Sequence, residues 1–180
     1  MFTLVLTEPD LWNEETSEFV LGKQHVFKLE HSLISMSLWE TEYERSFYYD
    51  PPKTVPEMIS YIRCMTIKPE FKDEYVKYIT VQNINDVNTY IGRKMSASKP
   101  HKEEGPKRYG KPRKDYITTE QIYSWMVAYR IPFETAKWPF NRLWNLIQFC
   151  QGQNKKPRKY SAKERDAIIR ANRAKLGTKG

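Results

Sequence analysis

The chain has 180 residues (21.5 kDa), is 39% hydrophobic, 14% aromatic and 29% charged, and carries a formal net charge of +8. Five Trp, 12 Tyr and 8 Phe are far more aromatic than disordered chains contain, so most of the chain should be able to bury a core. A mean hydropathy of −0.75 and the lack of an apolar run near ~20 residues argue against a membrane span, and Met1 to Asp10, without a basic flank, does not read as a secretory signal.

In chain order, Phe2 to Thr7 (FTLVLT) predicts a short strand closed by Pro9. Leu11 to Ser17 reads as an acidic loop. Phe19-Val20-Leu21, ended by Gly22, and Gln24 to Glu30 (QHVFKLE) read as two further strands, the second with an alternation that Phe27 interrupts. Ser32 to Phe47 is ambiguous: Leu33, Met36, Glu40, Tyr43 and Phe47 fit a helical stripe, while Ile34, Met36, Leu38 and Tyr43 would also serve a strand.

Thr54-Val-Pro-Glu57 has capping-box spacing and opens a helix through Met58, Ile62 and Met65 to about Thr66, with Pro56 tolerated in its first turn. Phe71 to Val81 is a weaker helix or strand candidate. Asn83 is placed to cap a helix through Ile84, Val87 and Ile91, stopped by Gly92. Arg93 to Lys114, with three Pro and two Gly, predicts a mobile loop.

Thr118-Thr-Glu-Gln121 is a second capping box, opening a helix that turns Ile122, Trp125, Met126 and Tyr129 inward. Ile131-Pro132-Phe133 is a break. From Pro139, a helix places Phe140, Leu143, Trp144, Ile147 and Cys150 at intervals of three and four, and ends at Gly152. Trp125, Trp138 and Trp144 give these two helices the heaviest apolar load, predicting a hairpin packed on the N-terminal half. Ser161-Ala-Lys-Glu164 is a third box, opening a basic helix with Gly177 as its C-terminal cap; at under 20 residues it is marginal in isolation.

The expected class is therefore α+β: a small N-terminal antiparallel sheet, then a helical C-terminal part and a basic helical tail. Residues 1–152 would form one globular domain with a basic loop at 93–115, and residues 153–180 a basic linker and helix. Charge divides along the same line. Residues 1–92 hold 8 Lys/Arg and 15 Asp/Glu, net −7, and residues 93–180 hold 22 and 7, net +15. Such asymmetry implies either a partner for the basic half or attraction between halves.

No reactive constellation stands out. His25, His31 and His101 pair with no Cys at zinc-finger spacing. Cys64 and Cys150, each in an apolar run, read as buried reduced thiols. No G-x-S-x-G elbow or phosphate-cradling Gly loop occurs, so no catalytic, cofactor-binding or metal-ligating residue is assigned. Glu40, Glu42 and Glu44 look like a carboxylate cluster but, two apart among Trp39, Tyr43 and Arg45, read as a solvated face. The basic residues Lys155, Lys156, Arg158, Lys159, Lys163, Arg165, Arg170, Arg173 and Lys175 would neutralise phosphates in a salt-dependent, sequence-blind manner, with Tyr109, Tyr116 and Tyr160 available to stack on bases. An acidic protein partner, or simple solubilisation, is the alternative for the same charges.

Three segments carry a family resemblance: HSLISMSLWETEYERSF (His31 to Phe47), YSWMVAYRIPFETAKWPFNRLWNLIQFC (Tyr123 to Cys150) and RDAIIRANRAKLGTKG (Arg165 to Gly180). Together they resemble proteins encoded among the tail genes of long-tailed bacteriophages, often labelled tail assembly chaperones, and the resemblance runs from about Val26 onward. It implies a non-enzymatic role in virion morphogenesis in the host cytoplasm: keeping the long, helical tape-measure protein soluble while tube subunits polymerise around it. Partners would be tape-measure or tube subunits, a second copy of the chain or, without sequence preference, nucleic acid. A groove for a helical client would draw on Trp39, Tyr43, Trp138, Phe140 and Trp144, each of which has burial in the core as its alternative. A structural virion component of the neck, tail or capsid is the rival reading.

Overall fold

A computed structural model describes residues 1–97, 117–153 and 162–176. The chain runs β1 (Phe2–Thr7), β2 (Leu11–Asn13), β3 (Glu18–Val20), β4 (Gln24–Leu29), α1 (Leu33–Tyr43), α2 (Val55–Met65) and β5 (Thr66–Lys68). A 3-10 turn (Asp73–Tyr78) leads to α3 (Val81–Ile91); α4 (Thr119–Ala128), a second 3-10 turn (Phe133–Lys137), α5 (Phe140–Gln153) and α6 (Ala162–Leu176) follow. The class is α+β, with the sheet at the N-terminal side and helices after it.

Strands β1 and β4 pair antiparallel, Leu4 opposite Phe27 and Phe2 opposite Leu29. Period-two alternation turns Leu4, Leu6, Phe27 and Leu29 into the core and leaves Val5 and Val26 outside. Phe27 is thus in phase with Leu29, and Val26 is the apolar residue on the solvent face, the reverse of the sequence reading. Strand β5 joins β4 to complete the order β1-β4-β5. The pattern over Thr66–Lys68 does not mark it as a strand; it is carried to β4 by the end of α2, and the Glu30 amide donates to the Met65 carbonyl at 2.9 Å.

The ambiguous segment is helical. The Ser32 hydroxyl accepts from the Ser35 amide, and the Ser35 hydroxyl accepts from the Ser32 amide, so two first-turn donors are satisfied. Helix α1 buries Leu33, Met36, Trp39 and Glu40 on one stripe and exposes Ile34 and Leu38, which a strand would have placed inward with Met36. It ends at Glu44 in the left-handed region (φ 52°). The Thr54–Glu57 box is formed as predicted, and the Glu57 carboxyl, accepting from the amides of Lys53 and Thr54 and facing Arg45, is held down to about 2. Helix α2 buries Met58, Tyr61, Ile62 and Met65.

Thr80, not Asn83, caps α3. Its hydroxyl accepts from the Asn83 amide, while the Asn83 side chain accepts from the Thr80 amide. In α4 the Thr118 hydroxyl accepts from the Gln121 amide. Helix α5 starts against the end of β4: the Phe140 amide donates to the His31 carbonyl at 2.7 Å, and Ser32 bridges Pro139. Leu143 and Ile147 are buried from α5, Ile122 and Met126 from α4. Trp125 and Trp144 approach with ring centroids 6.0 Å apart, but α4 packs chiefly on α1 and α5 on the second 3-10 turn, so the expected helical hairpin reduces to a contact between these rings.

Leu11–Asn13 departs from the loop expected there, pairing with Glu18–Val20 as a two-stranded hairpin. Residues 98–114 of the predicted loop, His101, Tyr109, Tyr116, the basic run Lys155–Lys159, Tyr160, Ser161 and Gly177 lie outside the described residues.

Candidate functional site

The polar groups that first suggest chemistry are tied into the fold. Glu40, expected on a solvated face, is buried: one carboxylate oxygen accepts from the Phe47 amide at 2.8 Å, the other from the Thr119 amide at 2.8 Å and hydroxyl at 2.6 Å. It caps α4 while closing the turn after α1, a carboxylate at a helix N-terminus where charge and dipole agree. Glu42 is exposed and accepts from the Ser60 hydroxyl. An open depression of about 390 Å³ lies beside Glu40, lined also by Glu44, Arg45 and Glu120.

The two described histidines serve different surroundings. His25 pairs with Glu8 at 2.8 Å and lies against Tyr75 and Tyr78. His31 is buried, its Nδ1 sharing a 2.5 Å hydrogen bond with the Tyr61 hydroxyl, beside Phe47 and Phe140. Burial presses the His31 imidazole down to about 4 and pushes the Tyr61 phenol upward, so both are neutral at pH 7. Cys64 is half-buried, its thiol raised to about 11 by burial and by Glu42; Cys150 is half-buried as well. Among the described residues, no three His, Cys, Asp or Glu side chains gather closely enough to hold a metal ion, and no helix is long and apolar enough to cross a membrane.

The five aromatic residues expected at a partner groove divide. Trp39 and Phe140 are core residues, fully and almost fully buried, which removes them from any binding surface of this structure. The reason is their position: Trp39 lies on the inward stripe of α1, and Phe140 opens α5 at the His31 junction. Tyr43 is half-buried, stacked on Trp39 at 4.7 Å, with the Arg45 guanidinium over both rings. Arg45 is itself held by Glu57 at 2.6 Å and Asp50 at 3.3 Å, a staple across the α1–α2 turn. Trp138 is half-buried under the Arg142 guanidinium, 4.2 Å from the ring centroid.

Trp144 has a different setting. It is half-buried and sits within 5.4 Å of Tyr48, 6.0 Å of Trp125 and 5.9 Å of Phe140 by ring centroids. Tyr48 and Tyr49, exposed and in edge contact with one another, extend the cluster outward. The result is an aromatic surface built by the α1–α2 turn, α4 and α5, with Phe140 as its buried floor. Tyr48 and Tyr49 escape a periodicity search because they lie in a turn; the signal is an aromatic pair before Asp50-Pro51-Pro52, where no helix can continue.

Of the basic contacts, Arg165, Arg170 and Arg173 are on α6, and every side chain from 165 to 173 is exposed. Comparison of the chain with protein-family models, with curated proteins and with solved structures gives no match.

Proposed function

We propose that this chain is a non-enzymatic assembly protein of a long-tailed bacteriophage, a chaperone that binds the tape-measure protein through the aromatic surface of Tyr48, Trp125 and Trp144. The sequence resemblance supplies the biological setting. The partly exposed cluster of Tyr48, Trp125 and Trp144 is the observation that carries the reading, because packed rings that keep part of their surface open suit the apolar stripe of a helical client. Rings already packed against one another on a fixed floor lose little freedom on binding.

Copurification of the tagged chain from infected cells tests it. The tape-measure protein should accompany the full chain and be lost with the Tyr48→Ala, Trp144→Ala double variant while that variant stays folded; retention of the client by the folded double variant would overturn the assignment of the surface. The exposed Arg165, Arg170 and Arg173 favour one rival, a virion component whose basic helix touches DNA or a neighbouring subunit. Mass spectrometry of purified particles separates the two: a chaperone is absent, a component is present in fixed ratio to the tube subunit.

A further inference from the structure

The β2–β3 hairpin is fixed at its base and open at its end. The Glu8 amide donates to the Lys23 carbonyl at 2.9 Å, and the Gly22 amide donates to the Asp10 carboxylate at 2.8 Å. Gly22 lies so close to Glu8 that a Cβ at position 22 would stand 1.8 Å from the Glu8 carbonyl oxygen. The hairpin is therefore a continuation of the β1–β4 ribbon with a defined direction. Beyond that base, Trp12 pairs with Phe19 across the strands, ring centroids 4.9 Å apart, and Leu11 pairs with Val20.

Period-two alternation places these two pairs on opposite faces, yet all four residues are exposed, as is Leu21 at 78%. A two-stranded hairpin with apolar pairs open on both faces is marginal alone and has the character of an interaction surface. Its rim is acidic: between Glu8 and Glu18 there are five Asp/Glu and no Lys or Arg, and Glu14, Glu15 and Glu18 are exposed.

Helix α6 carries the complementary pattern. Ile168 and Ile169 are exposed side by side. Arg165 and Arg173 lie one turn before and one turn after Ile169 on the same stripe, about 12 Å apart along the axis, with Arg170 beside them. In the single chain this helix leaves every side chain from 165 to 173 in solvent; a helix this short needs a surface to be stable.

We propose that the β2–β3 hairpin of one copy receives α6 of a second copy on its Trp12–Phe19 face, Ile168 and Ile169 meeting that aromatic pair and the arginines meeting the acidic rim. The contact is head-to-tail, so it closes by exchange of α6 between two copies or continues into a ring. It involves none of the Tyr48, Trp125 and Trp144 surface and stands or falls separately from the chaperone reading.

Sedimentation of the purified, nuclease-treated full chain over a wide concentration range tests it, with two full-length variants: Trp12→Ser with Phe19→Ser, and Ile168→Asp with Arg173→Glu. The full chain should self-associate, less at high salt. Each variant should sediment as a monomer with an unchanged circular-dichroism spectrum. An equimolar mixture of the two, which keeps one intact hairpin and one intact helix, should recover a dimer. A full chain that is monomeric throughout, association that persists in the helix variant, association that requires nucleic acid, or a mixture of two folded variants that stays monomeric would each overturn the proposal. Should the hairpin variant fail to fold, the helix variant decides alone, since its changes fall on exposed positions.

Discussion

Two tryptophans 27 positions apart in the N-terminal half meet opposite fates. Trp39 projects from α1 into a space closed by Phe47 and Tyr43, and none of its surface reaches solvent. Trp12 projects from the β2–β3 hairpin against Phe19 alone among the described ring contacts, and half of its surface stays open. Both residues sit in regular structure and both have an aromatic neighbour, so neither secondary structure nor aromatic pairing explains the difference. Layering does. Helix α1 has α2 and α4 against its faces, whereas the hairpin extends past the end of the β1–β4 ribbon and, among the described residues, gains no packed second layer.

The sharpest way to break this comparison is to truncate both. Trp39→Ala removes a fully buried indole and should lower stability by about 3–5 kcal/mol, a fall of about 6–20 °C in Tm for a chain of this size. Trp12→Ala should change the monomer by no more than about 0.5 kcal/mol, as other exposed substitutions do. Urea unfolding of the two variants under dilute conditions gives both numbers, and equal losses would mean that the hairpin does have a second layer.

The same contrast holds for two carboxylates only two positions apart on α1, which the helical twist turns to opposite faces. Glu40→Ala leaves the amide and hydroxyl of Thr119 and the amide of Phe47 without their acceptor inside the protein, at a cost of about 3 kcal/mol. Glu42→Ala loses one exposed hydrogen bond to Ser60 and should cost about 0.5 kcal/mol or less. Thermal melts at neutral pH compare them directly.

Buried His31 adds a pH dependence in a window above that of the surface carboxylates. Its folded value of about 4 lies below the ordinary 6.5, so the unfolded chain takes up the proton first. The stability held by the neutral ring is complete above pH 6.5 and is lost as pH falls toward 4, by about 3 kcal/mol over that window. Glu57, held down to about 2, contributes stability that is complete above 4.5 and is lost lower, between 4.5 and 2. Urea midpoints at pH 7.5 and 4.5 should therefore diverge in the native chain and converge in His31→Gln, provided the variant folds cooperatively; an unchanged slope would assign the acid sensitivity to other groups.

What was legible beforehand follows from how local each determinant is. The Thr54–Glu57 box, the inward residues of α4 and the three-and-four spacing of α5 depend on neighbours within one or two turns, and each is visible in the sequence. Glu40 depends on Thr119, 79 positions later, so its own neighbours suggest solvent while its actual partner suggests burial. Strand β5 has three residues and no pattern of its own; only its delivery to β4 by α2 makes it a strand. Strand β2 is equally short and its acidic flank reads as loop, whereas the apolar run Phe19-Val20-Leu21 makes its partner β3 visible, one residue out of step with the observed Glu18–Val20. Trp39 and Phe140 were legible as apolar but not as inaccessible, because a stripe of aromatic residues looks the same whether its far side meets the core or a client.

Trp144 lies between the two extremes that Trp39 and Trp12 define, and gives the subtlest prediction. Most of the side chain is buried, against Phe140, Trp125 and Tyr48 among others, so Trp144→Ala should destabilise by about 2–3 kcal/mol, less than the 3–5 of a fully buried indole. If the open part grips a client helix, the same substitution should weaken client binding by at least about tenfold, since truncated aromatic anchors commonly cost more than about 1.4 kcal/mol of affinity. Measuring both on one variant separates packing from recognition: a stability loss as large as that of Trp39→Ala with binding intact would make Trp144 a second core residue, whereas a small loss with binding abolished would make its exposed face the working part of the ring.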